Sequence, residues 1–307
     1  MIQNLNTSNE ATLNFKLLRR LVLQVNIIIE EMNLHFPIAI EKLNFSTKNL
    51  ENIPNPCFAN SYMEINEDDF YMNVHEVATY RAKKGNSIEI FPHKNADTAS
   101  IKLFLNGSVL GAILHQRAVL PFHGSSFEYN QKGILICGVS GAGKSSVTAT
   151  FCKNGANFIN DDITPVAITE ESTTIIPIKT NIKLWDDSLE KLDIAATDLE
   201  KIRPSLDKFY LPVKKDFDKQ QNLHHIFVLG THNQNDFKSF ELEGMAKFNV
   251  LRKQIYRRIY LKGMPETEKT YFKQLFQLGK NVRVNQIIRP KLADITATMD
   301  YIKQLLD

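Results

Sequence analysis

The sequence predicts an α/β fold in two parts: an N-terminal α+β domain over residues 1–112 and a larger domain over 113–307 built around a glycine-rich loop. Three observations predict it. The apolar strand "GILIC" (133–137) runs straight into "GVSGAGKS" (138–145), and a helix-forming run follows. Strand-like alternation around a turn fills residues 70–92. Amphipathic helical spacing recurs near both ends of the chain.

A length of 307 residues accommodates two domains, and 43% hydrophobic with 23% charged residues fits a globular protein. Lys and Arg total 37 against 34 Asp and Glu, a net charge of +3, so the basic excess that nucleic acid recruits is missing. The start, "MIQNLNTSNE", lacks the pattern of a signal peptide. No apolar run approaches the roughly 18 residues of a membrane span. Cys57, Cys137 and Cys152 are odd in number and widely spaced, which fits neither a disulfide framework nor zinc ligation. A reducing cytoplasm is expected, with Cys137 and Cys152 as small core residues.

Residues 11–33 carry Leu13, Leu17, Leu21, Val25 and Ile28 near helical spacing. "FYMNVHEVATYRAKKGNSIEIFP" reads as short strands, with the turn at Lys83–Asn86. Asp97 or Thr98 opens a helix running to Arg117, in which Gly107 and Gly111 lie four apart for close packing. "AVLPFHGSSFEY" is a strand, "NQKG" a turn and "ILICG" a buried strand, so a hairpin leads into the glycine loop. "KSSVTATFCKNG" is a helix ended by Gly155, and "NFIND" is a short strand ending on two acids. Helices follow over 244–261 and 266–280, then the strand "VRVNQII" and a last helix over about 292–306.

The loop matches G-x-x-x-x-G-K-[ST] at every fixed position. Gly138, Gly141 and Gly143 let backbone N–H groups turn towards phosphate oxygens with no Cβ in the way. The helix beginning at Lys144 points its positive end at the same anion. Lys144 reaches the outer phosphates and the Ser145 hydroxyl suits Mg²⁺. Nucleotide binding is therefore expected of Gly138, Val139, Ser140, Gly141, Ala142, Gly143, Lys144, Ser145 and Ser146, with no chemistry assigned to the Ser140 and Ser146 hydroxyls. Asp161 and Asp162 follow Lys144 by one helix and one strand, so the chain returns beside the loop. One acid can hold the metal and the other can accept the proton of an attacking hydroxyl. Alone, two adjacent aspartates are more often a solvated turn. His123, on the strand before the loop, is by itself more often a structural residue than a catalyst.

The stretch "LPFHGSS…GILICGVSGAGKSS…KNGANFINDDITPV" resembles the kinase domain of HPr kinase/phosphorylase and its kinase-like relatives. The shared marks are His123-Gly124, Gly138 to Ser145, Gly155 and Asp161-Asp162. "LFLNGSVLGAILHQR" and "IPIKTNIKLWDDSLEKL" resemble a branch found with peptide natural products, including the lasso peptide kinases. The resemblance spans residues 70–300 loosely and 115–190 well. It implies a P-loop kinase domain of HPr kinase type, ATP and Mg²⁺, and transfer to a serine hydroxyl. It also implies roles: His123 near the γ-phosphate, Lys144 on phosphate, Ser145 as a Mg²⁺ ligand, Asp162 as proton acceptor, and Asp161 beside it as metal or positioning acid. The order of the two acids stays open. The acidic signature that supports the reverse, phosphorylase reaction is missing; "TTIIPIKTNIKLWDD" offers lysines instead. Neither phosphorolysis nor HPr as substrate is expected, and the first 110 residues do not match the family's regulatory domain.

Arg203 and Lys208 face phosphate, peptide or solvent. Arg252, Lys253, Arg257 and Arg258 form a charged helical face, commonly solvated. His224-His225 starts a strand rather than a metal site, and Trp185 reads as core. The expected activity is an ATP- and Mg²⁺-dependent kinase acting on a serine of a peptide or small protein, the leading guess being the C-terminal serine of a ribosomally made peptide. Two alternatives are a kinase of free serine or another small metabolite and a non-catalytic, nucleotide-gated binding protein. Neither nucleic acid nor membrane is an expected partner, and the oligomeric state stays open.

Overall fold

The computed structural model describes residues 36–178, 181–213 and 219–306. The helix expected over 11–33 lies outside them. The first sheet is built from β1 (Lys42–Phe45), β2 (Phe58–Ala59), β3 (Met63–Asn66), β4 (Asp69–Val74), β5 (Ala78–Lys83) and β6 (Ser87–Pro92), in the order β1-β6-β5-β4-β3-β2. The β5–β6 hairpin closes at the predicted tetrad. Lys84 and Gly85 take positive φ of 51° and 66°, and the Asn86 N–H donates to the Lys83 carbonyl at 3.0 Å. Positive φ at consecutive turn residues matches the twist of the flanking strands.

The next helix starts where Asp97 accepts the Ser100 N–H at 2.7 Å. It runs as α1 (Thr98–Phe104), a π-helical turn (Leu105–Val109) and α2 (Leu110–Gln116). Gly107 and Gly111 both face Tyr256. A Cβ at 111 would lie 2.9 Å from the Tyr256 ring and one at 107 would lie 3.4 Å from its hydroxyl. Residue 112, at the expected domain boundary, falls inside α2. Ile65, Tyr80, Val109 and Ile113 share one apolar core with Ile163, Ile178, Tyr256, Tyr260 and Met264, so that core runs from the first sheet into the second half.

The second half contains β7 (Leu120–Phe122), β8 (Gly124–Tyr129), β9 (Lys132–Gly138), α3 (Lys144–Lys153), β10 (Asn157–Asn160), β11 (Thr164–Ile168) and β12 (Thr173–Ile175). A ribbon of β13 (Ile182–Trp185) and β14 (Lys208–Leu211) flanks α4 (Asp186–Lys191). Then come β15 (Gln221–His232), β16 (Lys238–Glu241), α5 (Gly244–Lys253), α6 (Pro265–Asn281), β17 (Arg283–Pro290) and α7 (Ile295–Leu306). Strand order is β10-β8-β9-β15-β12-β11-β7, with β17 also pairing β15 and β16 at its far side. Within this sheet β9, β15 and β17 run parallel. Among the described residues no helix is long and apolar enough to cross a membrane.

Three expectations change. The strand expected over 118–129 breaks at His123, because β7 pairs with β11 while β8 pairs with β9 and β10. The helix expected over 244–261 ends at Lys253. There the chain turns to dock on β7: the Tyr256 N–H donates to the Pro121 carbonyl at 2.8 Å, Arg257 takes φ of 49°, and a 3₁₀ helix (Arg258–Gly263) follows. The last helix begins at Ile295, after a turn in which the Ala293 N–H donates to Pro290.

Candidate functional site

The glycine loop caps the C-terminal ends of the parallel strands, where open α/β sheets place their ligands. Gly138, Gly141 and Gly143 have φ of 139°, 80° and 96°, conformations that L side chains rarely adopt. At 138 the constraint is also steric, since a Cβ would come within 2.5 Å of the Leu229 carbonyl on β15. α3 begins at Lys144 with Gly143 as its N-cap. The Lys144 ammonium donates to the Gly138 and Val139 carbonyls at 3.0 and 3.2 Å, which folds it over the loop. Val139 and Ser140 form the exposed rim, and Ala142 is buried beneath.

The two acids sit in the gap between β10 and β11, opposite the gap at His123 between β7 and β8. Asp161 is buried. Its Oδ1 accepts the Ser145 hydroxyl at 2.8 Å, and its Oδ2 accepts the Lys183 N–H at 2.8 Å. Asp162 turns the other way through a left-handed backbone, φ 71°, which Asp tolerates better than most residues. Its Oδ2 takes the Lys183 ammonium at 3.0 Å, and His123 Nδ1 lies 3.4 Å from its Oδ1. The same Nδ1 meets the Asp162 carbonyl at 3.1 Å. A carbonyl only accepts, so Nδ1 carries the proton, and Nε2 is the ring's acceptor. The His123 ring also packs on Tyr256, centroid to centroid 5.7 Å.

The environment separates the two carboxyls. Burial raises Asp161, opposed by the N–H of Lys183 and reinforced by the charge of Asp162. Burial would raise Asp162 too, but the charges of Lys183 and then His123 outweigh it and hold this carboxyl well below the usual carboxylate range. Burial lowers His123, and the Lys144 charge lowers it further, so Lys183 is the principal counter-charge of Asp162. Burial depresses Lys144 and Lys208 as well, while Asp162 lifts Lys183 above its ordinary value despite its burial. A pair of carboxyls pushed apart in this way is the usual mark of divided roles.

The structure thus brings Ser145, Asp161, Asp162 and His123 together at the mouth of the loop that carries Lys144. Sequence reading missed Lys183, although it noted lysines in that segment. Lys183 faces the acids because β13 alternates. Ile182 and Leu184 are buried in the core, which turns Lys183 and Trp185 to the other face with their β14 partners Tyr210 and Lys208. Lys208 therefore belongs to the site's surroundings, with its ammonium 5.4 Å from the Trp185 ring. Trp185 itself is 47% exposed rather than core. Arg203 lies apart, its Nε donating to the Ser205 hydroxyl. Of the basic run, Arg252 pairs with Glu268 at 2.6 Å, and Arg257 stacks on Tyr256. His225 is buried and bonds Asn285, as a strand residue does.

No protein-family model matches the chain, and neither does any curated protein. Among solved structures it is similar to the Hpr(Ser) kinase/phosphatase from Coxiella burnetii, at 12% identity over 60% of this chain and 92% of that chain, with a TM-score of 0.32.

Proposed function

We propose that this chain is an ATP- and Mg²⁺-dependent kinase that transfers the γ-phosphoryl group to a serine hydroxyl of a peptide or small protein, the C-terminal serine of a ribosomally made peptide being the leading candidate. One observation carries the reading. At the mouth of a loop whose three glycines take positive φ, Ser145 and Asp161 place two oxygens 2.8 Å apart, and a second, ionised acid stands beside them. The donor set suits Mg²⁺, which takes oxygen ligands and keeps its remaining positions for phosphate and water; two protein oxygens are enough. Ser145 and Asp161 would hold it, and the ion would neutralise charge on the outer phosphates.

The loop N–H groups and the α3 N-terminus bind the phosphates, and Lys144 swings from the Gly138 and Val139 carbonyls onto them. Asp162 accepts the serine proton as the new O–P bond forms and the bond between the γ-phosphorus and the β–γ bridging oxygen breaks, leaving ADP. Lys183 keeps Asp162 ionised and aimed. His123 holds the Asp162 carbonyl and so fixes the left-handed turn that presents the carboxylate. Most of the acceleration comes from positioning and fixed charge. The segment after the two acids supplies Lys183 rather than a further carboxylate, which favours forward transfer over phosphorolysis.

Isothermal calorimetry with MgATP tests the nucleotide site. Lys144→Ala should bind MgATP much more weakly with the fold intact, and lose about 10²–10³ in transfer rate. Equal affinity in wild type and variant would remove the assignment.

A further inference from the structure

Arg289, next to last in β17, is paired with Thr231 of β15, at the same strand ends that carry the glycine loop. Only 8% of it is exposed. A buried guanidinium ordinarily has a carboxylate partner. Among the described residues this one has none, and its hydrogen bonds all go to backbone carbonyls. Nε and Nη2 both point at the Ala142 carbonyl, each at 3.3 Å, while Nη1 reaches the carbonyls of Pro290 and Ala293 at 3.4 and 3.3 Å. The side chain also packs against the loop, since a Cβ at Gly143 would sit 3.3 Å from Nη2 and 3.4 Å from Ile295.

The peptide unit between Ala142 and Gly143 is planar and trans, so its C=O and N–H point in opposite directions. A donor pair that fixes the Ala142 carbonyl on the outside of the loop fixes the Gly143 N–H on the inside. We propose that Arg289 is a positioning residue for nucleotide binding, clamping the Ala142 carbonyl to the β17–α7 corner so that the Gly143 N–H is held towards the phosphates. Its charge adds positive potential behind the loop, balanced when a polyphosphate arrives. The inference rests on the reading that this loop binds MgATP.

The test compares wild type, Arg289→Lys and Arg289→Met by calorimetry with MgATP and by steady-state kinetics. Met keeps the stem and removes every donor. It should weaken MgATP binding by about tenfold or more, the scale of a lost charge-assisted hydrogen bond. The KM for the acceptor peptide should stay within about twofold and kcat at saturating ATP within about threefold, because the transferring groups are untouched. Lys keeps the charge but cannot present two donors to one carbonyl in a plane, so its affinity should fall between the two. Arg289→Met with MgATP affinity within about twofold of wild type would overturn the proposal. So would parallel losses in nucleotide affinity and acceptor KM, which mean general damage. Should the Met variant not fold, wild-type affinity in Arg289→Lys is the overturning result, and weakened affinity with an unchanged acceptor KM is the supporting one. A wild-type protein that does not bind MgATP would instead remove the nucleotide reading itself.

Discussion

Lys183 serves both acids at once, its main chain bonded to Asp161 and its ammonium to Asp162. That dual contact explains why two adjacent aspartates can titrate so differently. It also changes what the pH dependence of transfer should show. In the wild type Asp162 is ionised across the working range, so its own titration adds no acidic limb above the ordinary carboxylate range. In Lys183→Met the largest counter-charge is gone and only His123 and Lys208 still oppose burial, so the Asp162 pKa rises. The protonated fraction then grows as pH falls, and the protonated form cannot accept the serine proton. Initial rates measured from about pH 5 to 9 should therefore decline towards acid at a higher pH and more steeply in Lys183→Met than in the wild type; matching profiles would show that Lys183 does not set the base. The sequence made the loop residues and the two acids legible through spacing alone. It did not reveal Lys183 or Arg289, because each lies far along the chain and reaches the site only through strand pairing. A lysine in "NIKLW" or an arginine in "QIIRP" carries no local signature.

At the scale of elements, the helix over 98–116 was readable from its Asp97 cap and its apolar spacing, and the hairpins were readable from their turns. The π-helical turn was not, nor the early end of α5, since both answer to Tyr256 rather than to local propensity. Gly107 and Gly111 open a slot for this ring, and the chain leaves helical geometry after Lys253 to insert it. Tyr256 in turn packs on His123 and lends its carbonyl to His115 Nε2 at 2.9 Å. Gly111→Ala should drive a methyl to within 2.9 Å of the ring. Overpacking of this kind costs about 1–3 kcal/mol, and a displaced Tyr256 should carry His123 with it. Chemical denaturation together with initial rates should show both losses; a fully active, fully stable variant would mean that the ring adapts without moving His123.

Over the whole molecule, the first sheet is tied to the second half through the shared core and through one cap. Glu67, in the turn between β3 and β4, accepts the Thr267 N–H at 2.8 Å and the Thr267 hydroxyl at 2.6 Å, and the Glu266 N–H at 3.2 Å. It thereby caps α6 from 200 positions away, and composition or periodicity gives no sign of it. Glu67→Ala should lower stability by roughly 0.5–2 kcal/mol, the usual worth of a lost cap, and leave kcat unchanged, because the cap lies outside the transfer site. Urea unfolding alongside steady-state kinetics checks both; a changed kcat would show that the cap reaches the site. The central claim is that the acid beside the loop takes a serine proton during transfer from ATP. Its most direct test is the initial rate of labelled γ-phosphate transfer to a pool of synthetic peptides, each bearing a single serine, by wild type and Asp162→Asn. The wild type should form acid-stable phosphoserine. Asp162→Asn, with MgATP affinity preserved, should be slower by about 10²–10⁴, the contribution of a positioned general base. A wild type that labels no serine, or an Asp162→Asn variant that keeps the wild-type rate, would contradict it.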